Sequence, residues 1–204
     1  MNNFIPDSEL LFGIYKDDLI ICGVDEAGRG PLCGPVSAAA VIMPKNFIIE
    51  GVTDSKKISE KKRELLYPEI IKNALAYSIC FVDSEEIDKI NILNASLKAM
   101  ETAINNLKIK PDYALIDGNQ NKGITTPNKT VVKGDSKSFS IACASILAKV
   151  ERDRYMIEMD KKYPEYNFAK HKGYGTKEHY EAIKTHGILE IHRKTFLKNW
   201  FPKD

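Results

Sequence analysis

Residues 19–24 (LIICGV) form an unbroken apolar run rich in β-branched side chains, the pattern of a strand buried on both faces, and the run ends on the acidic pair Asp25-Glu26. Gly28, Gly30, Pro31, Gly34 and Pro35 then turn the chain, and residues 36–42 (VSAAAVI) read as a second strand. Ser59 is placed to cap a helix over residues 60–75, which a third strand over 76–82 (AYSICFV) follows. After Asn91, the residues Leu93, Leu97, Met100, Ile104 and Leu107 alternate four and three positions apart, one apolar stripe of a helix that Pro111 stops. Residues 113–116 (YALI) read as a fourth strand running into Asp117, and residues 130–132 as a brief fifth ending at Lys133-Gly134-Asp135. A long helix is expected over 138–162, with Cys143, Ile146, Leu147, Val150 and Ile157 on one stripe and the small Ala142, Ala144 and Ala148 permitting close packing. Pro164 closes it, and Thr176 is placed to cap a further helix in the remainder.

Strands that give way to alternating helix and strand predict an α/β fold, a mixed sheet flanked by helices. No internal repeat, low-complexity tract or Ser/Pro linker interrupts it. The expected organisation is a body over residues 1–160 and a helical, basic C-terminal extension over 161–204 packed on it as one structural unit.

Composition adds bounds to this picture. With 204 residues, 43% of them hydrophobic and 28% charged, the chain can bury one sizeable core and is too evenly mixed to be disordered or fibrous. The formal net charge of +2 excludes a histone-like or polyanionic protein. Charge is unevenly placed, however: from Lys161 onward ten Lys+Arg face five Asp+Glu, so the tail carries +5 and the rest −3, and all four histidines lie in that tail. A basic lobe beside an acidic body suits a protein that meets phosphates at one surface and holds cations at another. Cys22, Cys33, Cys80 and Cys143 show no C-x-x-C spacing and are expected to be reduced thiols, most of them in the core. No basic segment followed by an apolar one opens the chain, and no stretch approaches the roughly 18 apolar residues of a membrane span, so a soluble, cytoplasmic protein is expected.

The candidate chemistry sits where strands end. Asp25-Glu26, Asp117 and Asp135 are hard oxygen ligands without neighbouring His or Cys, which suits Mg²⁺ or Mn²⁺ rather than zinc. Brought together, they would hold two ions in the arrangement used for phosphodiester cleavage; left apart, they are strand-terminal acids facing water. The loop DEAGRGPLCGP lets its backbone approach a ligand closely around Arg29, but it is neither a dinucleotide fingerprint, since Cys33 stands where the third glycine belongs, nor a P-loop. In the tail, Tyr163, Tyr166, Phe168 and Tyr174 interleave with Lys170, His171 and Lys172, a pattern that serves base or sugar stacking beside phosphate contact, or simply packs the lobe. His179 and His186, seven apart, lack a third ligand at zinc spacing. Asp54-Ser55-Lys56-Lys57 reads as a polar loop, and Lys149 and Asp153 as an i,i+4 pair on the long helix.

In order along the chain, GVDEAGRGPLCGPV, TDSKK, INILNASLKAM, LIDGN, VVKGDSKSFSIACASILAKVERD and FAKHKGYGT resemble the motifs of bacterial ribonuclease HII, the type 2 ribonuclease H family, from about residue 20 to 195. The resemblance implies a ribonuclease H-like fold with a helical C-terminal extension. It also implies endonucleolytic cleavage on the 5′ side of a ribonucleotide embedded in duplex DNA or within an RNA/DNA hybrid, leaving a 3′-hydroxyl and a 5′-phosphate, with Mg²⁺ or Mn²⁺ as cofactor. Asp25, Glu26, Asp117 and Asp135 match the family's catalytic, metal-binding carboxylates. Gly28, Arg29 and Gly30 match its reader of the 2′-hydroxyl, and Tyr174 the tyrosine that packs on the junction sugar. Lys56 and Lys149 fall in matching segments and are assigned phosphate contacts. The implied role is ribonucleotide removal from DNA and degradation of primers and hybrids; a monomer is the default expectation.

The alternatives are the related ribonuclease HIII, a DNA-directed nuclease or transposase on the same fold, and a binding module that has lost catalysis. The Gly-Arg-Gly loop and the short stretch before the first strand disfavour the first, the loop and Tyr174 the second, and the presence of all four acids the third. Phe196, Leu197, Trp200 and Phe201 recur at helical spacing and are expected to dock the C-terminus on the body; no Gln opens an aromatic clamp-binding motif, so a sliding-clamp contact lacks a clear signal.

Overall fold

The computed structural model describes residues 4–13, 18–198 and 200. Five strands, β1 Ile21–Ala27, β2 Val36–Ile42, β3 Ala76–Val82, β4 Tyr113–Asp117 and β5 Asn128–Val131, form one sheet in the order β3-β2-β1-β4-β5. β1 pairs antiparallel with β2 and parallel with β4, so the sheet is mixed and β1 lies at its centre. Of the apolar run over 19–24, Leu19 and Ile20 precede β1 and Ile20 is exposed, whereas residues 22–24 are buried because helices cover both faces of β1.

Strand alternation divides the core. On one face Cys22, Val24, Ala38 and Ala40 pack with Leu97, Met100 and Ile104 of α3 (Ser84–Asn105). On the other, Ala39 and Val41 pack with Leu66 and Ile70 of α2 (Glu60–Asn73) and Cys143, Ile146 and Leu147 of α4 (Phe139–Lys162). The caps read from sequence are formed, with Ser59 accepting from the Lys62 amide and Thr176 from the His179 amide at the start of α6 (Lys177–His186).

Several boundaries differ from the sequence reading. α3 starts seven residues before Asn91, capped by Asp83, because Asn91 adopts φ 66° and caps the second half through the Asn94 amide, merging two helices across a kink. Of the expected stripe, Leu93 is exposed while Leu97, Met100 and Ile104 are buried. β5 ends at Val131, leaving Val132 exposed. On α4 the inward position of the last turns is Met156, with Ile157 only half-buried. A short helix α1, Asp7–Phe12, carries no amphipathic signal of its own; it is tied to the start of α4 by Ser138 and Ser140 hydroxyls donating to the two oxygens of Asp7, both at 2.6 Å.

The C-terminal lobe, with α5 (Phe168–His171) and α6, meets the end of α4 through an apolar cluster of Leu32, Cys33, Met156, Tyr166, Phe168, Ala182, Ile183 and Leu197. Leu197 is buried and Trp200 stacks on Tyr180 at 4.5 Å, but the segment is a 3-10 turn, Lys194–Phe196, rather than the helix its spacing suggested; Phe201 lies outside the described residues. The four cysteines are free thiols, three of them buried. Among the described residues no helix is long and apolar enough to cross a membrane.

Candidate active site

The site begins with a register. Because β1 and β4 run parallel with Val24 opposite Ile116, the next residues, Asp25 and Asp117, emerge side by side at the same end of the sheet. Asp25 is 5% exposed, held by the Glu26 amide at 2.7 Å and by the Ser145 hydroxyl on α4, which in turn meets the Ser55 hydroxyl at 2.8 Å. Asp117 accepts the Gly134 amide at 2.6 Å. Asp135 is not at a strand end as expected: it sits on a 3-10 turn, Gly134–Ser136, after β5 has stopped. Lys133 takes a left-handed φ of 56° to start that turn, and the turn carries Asp135 back to the cluster.

The carboxylates act on one another electrostatically. Burial pushes Asp25 well above the ordinary carboxylate range, and the charges of Glu26 and Asp117 push the same way. Glu26 is also raised by burial, with Arg29 opposing from 3.4 Å and Asp117 adding to the rise. Asp135 is raised to about 6, first by burial and then by Asp54 and Asp117. Burial would lower Lys56, but Asp25, Asp135, Asp54 and Asp117 outweigh it and hold the ammonium firmly charged. An all-oxygen set of mutually repelling, largely buried acids is the donor chemistry of a divalent hard cation. Asp25, Glu26, Asp117 and Asp135 offer oxygen donors of the kind such an ion takes.

Beside the acids, Gly28 to Pro35 form a tight loop. Gly28 has φ 96°, and a Cβ there would fall 2.0 Å from Arg152 Nε, so both backbone and space require glycine. Gly30 is open except toward Tyr174, whose Cε1 lies 3.4 Å from where its Cβ would be. Tyr174 is 46% exposed, its ring free at the surface while its main chain is fixed by three bonds: its amide to His171 O, and its carbonyl to the Thr176 amide and His179 Nδ1. An aromatic face next to a glycine loop and an acidic cluster is thus assembled from residues about 150 positions apart.

A model of the family described as ribonuclease HII matches residues 22–201 of this chain. The chain belongs to the ribonuclease HII family. It is 58% identical over 198 residues to a ribonuclease HII of Caldicellulosiruptor bescii, covering 97% of this chain and 95% of the relative. Its fold is similar to ribonuclease H2 from Pyrococcus horikoshii OT3, with a TM-score of 0.72, 29% identity and coverage of 86% of this chain and 92% of the other. It is similar also to a chain of the PCNA:RNase HII complex from Archaeoglobus fulgidus, with a TM-score of 0.74, 27% identity and coverage of 91% and 98%. A ribonuclease HII is a metal-dependent nuclease, and the α/β sheet with its helical C-terminal extension is the fold of this family.

Not every residue singled out from sequence joins this group. Lys149 is committed to Asp153 at 2.6 Å, and the same carboxylate meets Arg63 at 3.5 Å, so the i,i+4 pair is formed and partly buried. Tyr166 and Phe168 are core residues of the lobe, and Lys172 reaches Glu60 at 3.3 Å. Asp54, read as part of a surface loop, is a member of the acidic cluster; its signal was the TDSKK motif, whose lysine alone was singled out.

His179 does not pair with His186, which is exposed; it faces His192 and Cys33, all three buried. Their ligand atoms are close enough for a metal, with His179 Nε2 at 3.1 Å from His192 Nε2 and 3.9 Å from Cys33 Sγ. Proton placement opposes that use. His192 Nδ1 accepts the Leu189 amide, so its ring proton is on Nε2; His179 Nδ1 donates to Tyr174 O, so its Nε2 is free to accept that proton. Burial lowers both imidazoles to about 4, which keeps them neutral and the hydrogen bond intact at neutral pH.

Proposed function

We propose that this protein is an endoribonuclease that hydrolyses the phosphodiester on the 5′ side of a ribonucleotide, embedded in duplex DNA or within an RNA/DNA hybrid, leaving 3′-hydroxyl and 5′-phosphate ends. The observation that carries the reading is the adjacency of the Asp25, Glu26, Asp117 and Asp135 cluster to a glycine loop with free amides and the exposed ring of Tyr174. Ribonucleotide removal from DNA and degradation of primers and hybrids follow from that specificity.

Asp25 and Asp117 would be the principal ligands of two Mg²⁺ or Mn²⁺ ions, Glu26 a ligand and orienting group, and Asp135 the acid that completes the second site. Such ions would polarise the phosphate and lower the pKa of water. The protein's own part is positional. Ser145 and the Glu26 amide fix Asp25, and the Gly134 amide fixes Asp117, so neither carboxylate must reorganise on loading. Lys56 lies where it would meet a phosphate next to the acids, and Lys149 is a weaker candidate because Asp153 already holds it. The Gly28, Arg29 and Gly30 backbone would read the 2′-hydroxyl, and Tyr174 would pack on the sugar that carries it.

The expected substrate is a duplex engaged by a monomer in the cytoplasm. The complex with PCNA belongs to the Archaeoglobus fulgidus relative. In this chain Leu197 is buried and Trp200 stacks on Tyr180, which supports docking of the C-terminus on the body, while a clamp contact stays possible without a clear motif for it.

Three labelled duplexes, all-DNA, RNA/DNA hybrid, and DNA with one ribonucleotide, incubated with Mg²⁺, Mn²⁺ or EDTA, test the reading. A metal-dependent cut 5′ of the lone ribonucleotide with the all-DNA duplex intact is expected. Cleavage of the hybrid alone would remove the junction-reading roles of Arg29 and Tyr174, and no cleavage under any condition would favour a non-catalytic binding module. Arg29→Ala and Tyr174→Ala are expected to lower discrimination for the ribonucleotide about tenfold or more while changing duplex affinity far less. Binding titrations beside kcat/KM for each duplex would check this; a uniform loss would make both residues ordinary phosphate or packing contacts.

A further inference from the structure

The Gly28 to Pro35 loop is wrapped around a buried cation. Arg193 is 0% exposed, and every hydrogen bond of its guanidinium goes to a main-chain carbonyl of that loop. Nη2 donates to Gly28 O at 2.7 Å and Gly34 O at 2.8 Å, Nη1 to Pro31 O at 2.9 Å and Arg29 O at 3.1 Å, and Nε to Gly34 O at 3.0 Å. Arg152, equally buried, donates to Cys33 O, Pro35 O and Lys172 O. Among the described residues neither guanidinium has a carboxylate in salt-bridge contact. Burial and then the neighbouring Arg152 charge pull Arg193 down to about 9. Two buried like charges with no carboxylate in contact are costly, and a neutral core would close the same space more cheaply.

Peptide geometry shows what the arrangement achieves. In a planar trans peptide the carbonyl of one residue and the N–H of the next point in opposite directions. Pro31 O on Arg193 therefore turns the Leu32 amide away, and it is found on Gly173 O at 2.8 Å; Cys33 O on Arg152 turns the Gly34 amide away, and it is found on Ile191 O at 2.8 Å. By the same rule, Gly28 O and Arg29 O on Arg193 turn out the amides of Arg29 and Gly30. These two donors have no protein partner among the described residues. They stand next to the Tyr174 ring, in front of a buried positive charge.

We propose that Arg193 is a positioning residue for ribose recognition: its guanidinium templates the loop so that two consecutive amides are presented, unpaired, to an electron-rich oxygen of the substrate backbone. This rests on the function proposed above and adds a specificity determinant from the C-terminal lobe. It also gives that lobe a reason to be joined to the body, since the template comes from one and the loop from the other. Lysine keeps the charge but has no fork with which to hold four carbonyls.

The test uses the full chain as the parent, Arg193→Lys, and Arg193→Ala with and without millimolar methylguanidinium. Two readouts are taken: kcat and KM on the single-ribonucleotide duplex beside affinity for the all-DNA duplex, and ¹⁵N-glycine amide shifts of Gly28, Gly30 and Gly34. Arg193→Lys is expected to remain folded, to shift the loop amides, and to lose about thirtyfold or more in kcat/KM with all-DNA affinity nearly unchanged. Methylguanidinium is expected to restore part of the activity and of the loop spectrum in Arg193→Ala, but not to activate Asp25→Asn. Unchanged loop shifts in folded Arg193→Lys, or an activity loss that follows only the unfolded fraction and is not rescued, would overturn the proposal. The parent separates the two questions: a parent that leaves the ribonucleotide duplex intact overturns the proposed function, whereas an active parent with an equally active Arg193→Lys overturns only the role of Arg193.

Discussion

Asp25→Asn should reduce cleavage of a ribonucleotide-containing duplex by at least about a thousandfold while leaving duplex affinity within a few-fold of the parent. The same substitution should make the metal-free protein more stable. Burial and the nearby Glu26 and Asp117 raise the Asp25 pKa in the folded state, so the native protein binds a proton that the unfolded chain releases above its ordinary value of 3.8. Where the native state binds more protons, stability falls as pH rises. The parent in EDTA thus loses stability from about pH 4 upward until the folded-state value is passed, and an amide at this position has no such charge to repel. Thermal unfolding in EDTA from pH 5 to 8 is expected to show Asp25→Asn melting above the parent, with a gap that widens as pH rises. Mn²⁺ should raise the parent's melting temperature strongly at pH 8 and the variant's much less. Retained cleavage in Asp25→Asn would overturn the assignment of the acids, and a lower melting temperature in EDTA would show that Asp25 is a structural acid.

Gly23→Ala is the substitution with the largest expected effect on folding. A Cβ on Gly23 would lie 2.2 Å from Ile141 N and from the Ser140 carbonyl carbon, and 2.6 Å from Ser140 O. These are main-chain atoms at the first turn of α4, which cannot rotate aside as a side chain would. The helix would have to lift from β1, and with it Ser145, which holds Asp25 from that same helix. The cost is expected to exceed about 3 kcal/mol, at the upper end of overpacking losses. For a chain of this size that corresponds to a drop in melting temperature of roughly 10 °C. Urea or thermal unfolding checks it. Gly30→Ala is the control, because its nearest obstacle is a Tyr174 ring carbon at ordinary contact distance, 3.4 Å, and it should unfold close to the parent. A Gly23→Ala protein as stable as the parent would show that α4 does not rest on the β1 backbone.

Much of this molecule is local and therefore readable along the chain. The buried strand Val36–Ile42 and the edge strand Ala76–Val82 were delimited by composition and by the turn residues around them, and the caps Ser59 and Thr176 by side-chain chemistry acting over three residues. The ordered motifs were enough to identify the family and to nominate Asp25, Glu26, Asp117 and Asp135, since a carboxylate at the end of an apolar run is visible before any folding is known.

What tertiary structure decided is every relation between segments. The parallel register of β1 and β4 places Asp25 beside Asp117, and the Lys133 turn brings Asp135 back after its strand has ended; neither follows from spacing. Asp54 joined the acids and Lys149 went to Asp153 because partners were chosen in three dimensions. The histidines, paired seven apart on paper, are paired thirteen apart in the fold, with tautomers set by a backbone amide and a carbonyl. Arg193 was one cation among thirty until the loop's carbonyls were seen around it. Side-chain type and periodicity are properties of neighbours in sequence, but burial, charge coupling and hydrogen-bond direction belong to neighbours in space, and those determine which acids are brought together, which amides lack a partner among the described residues and which ring is presented.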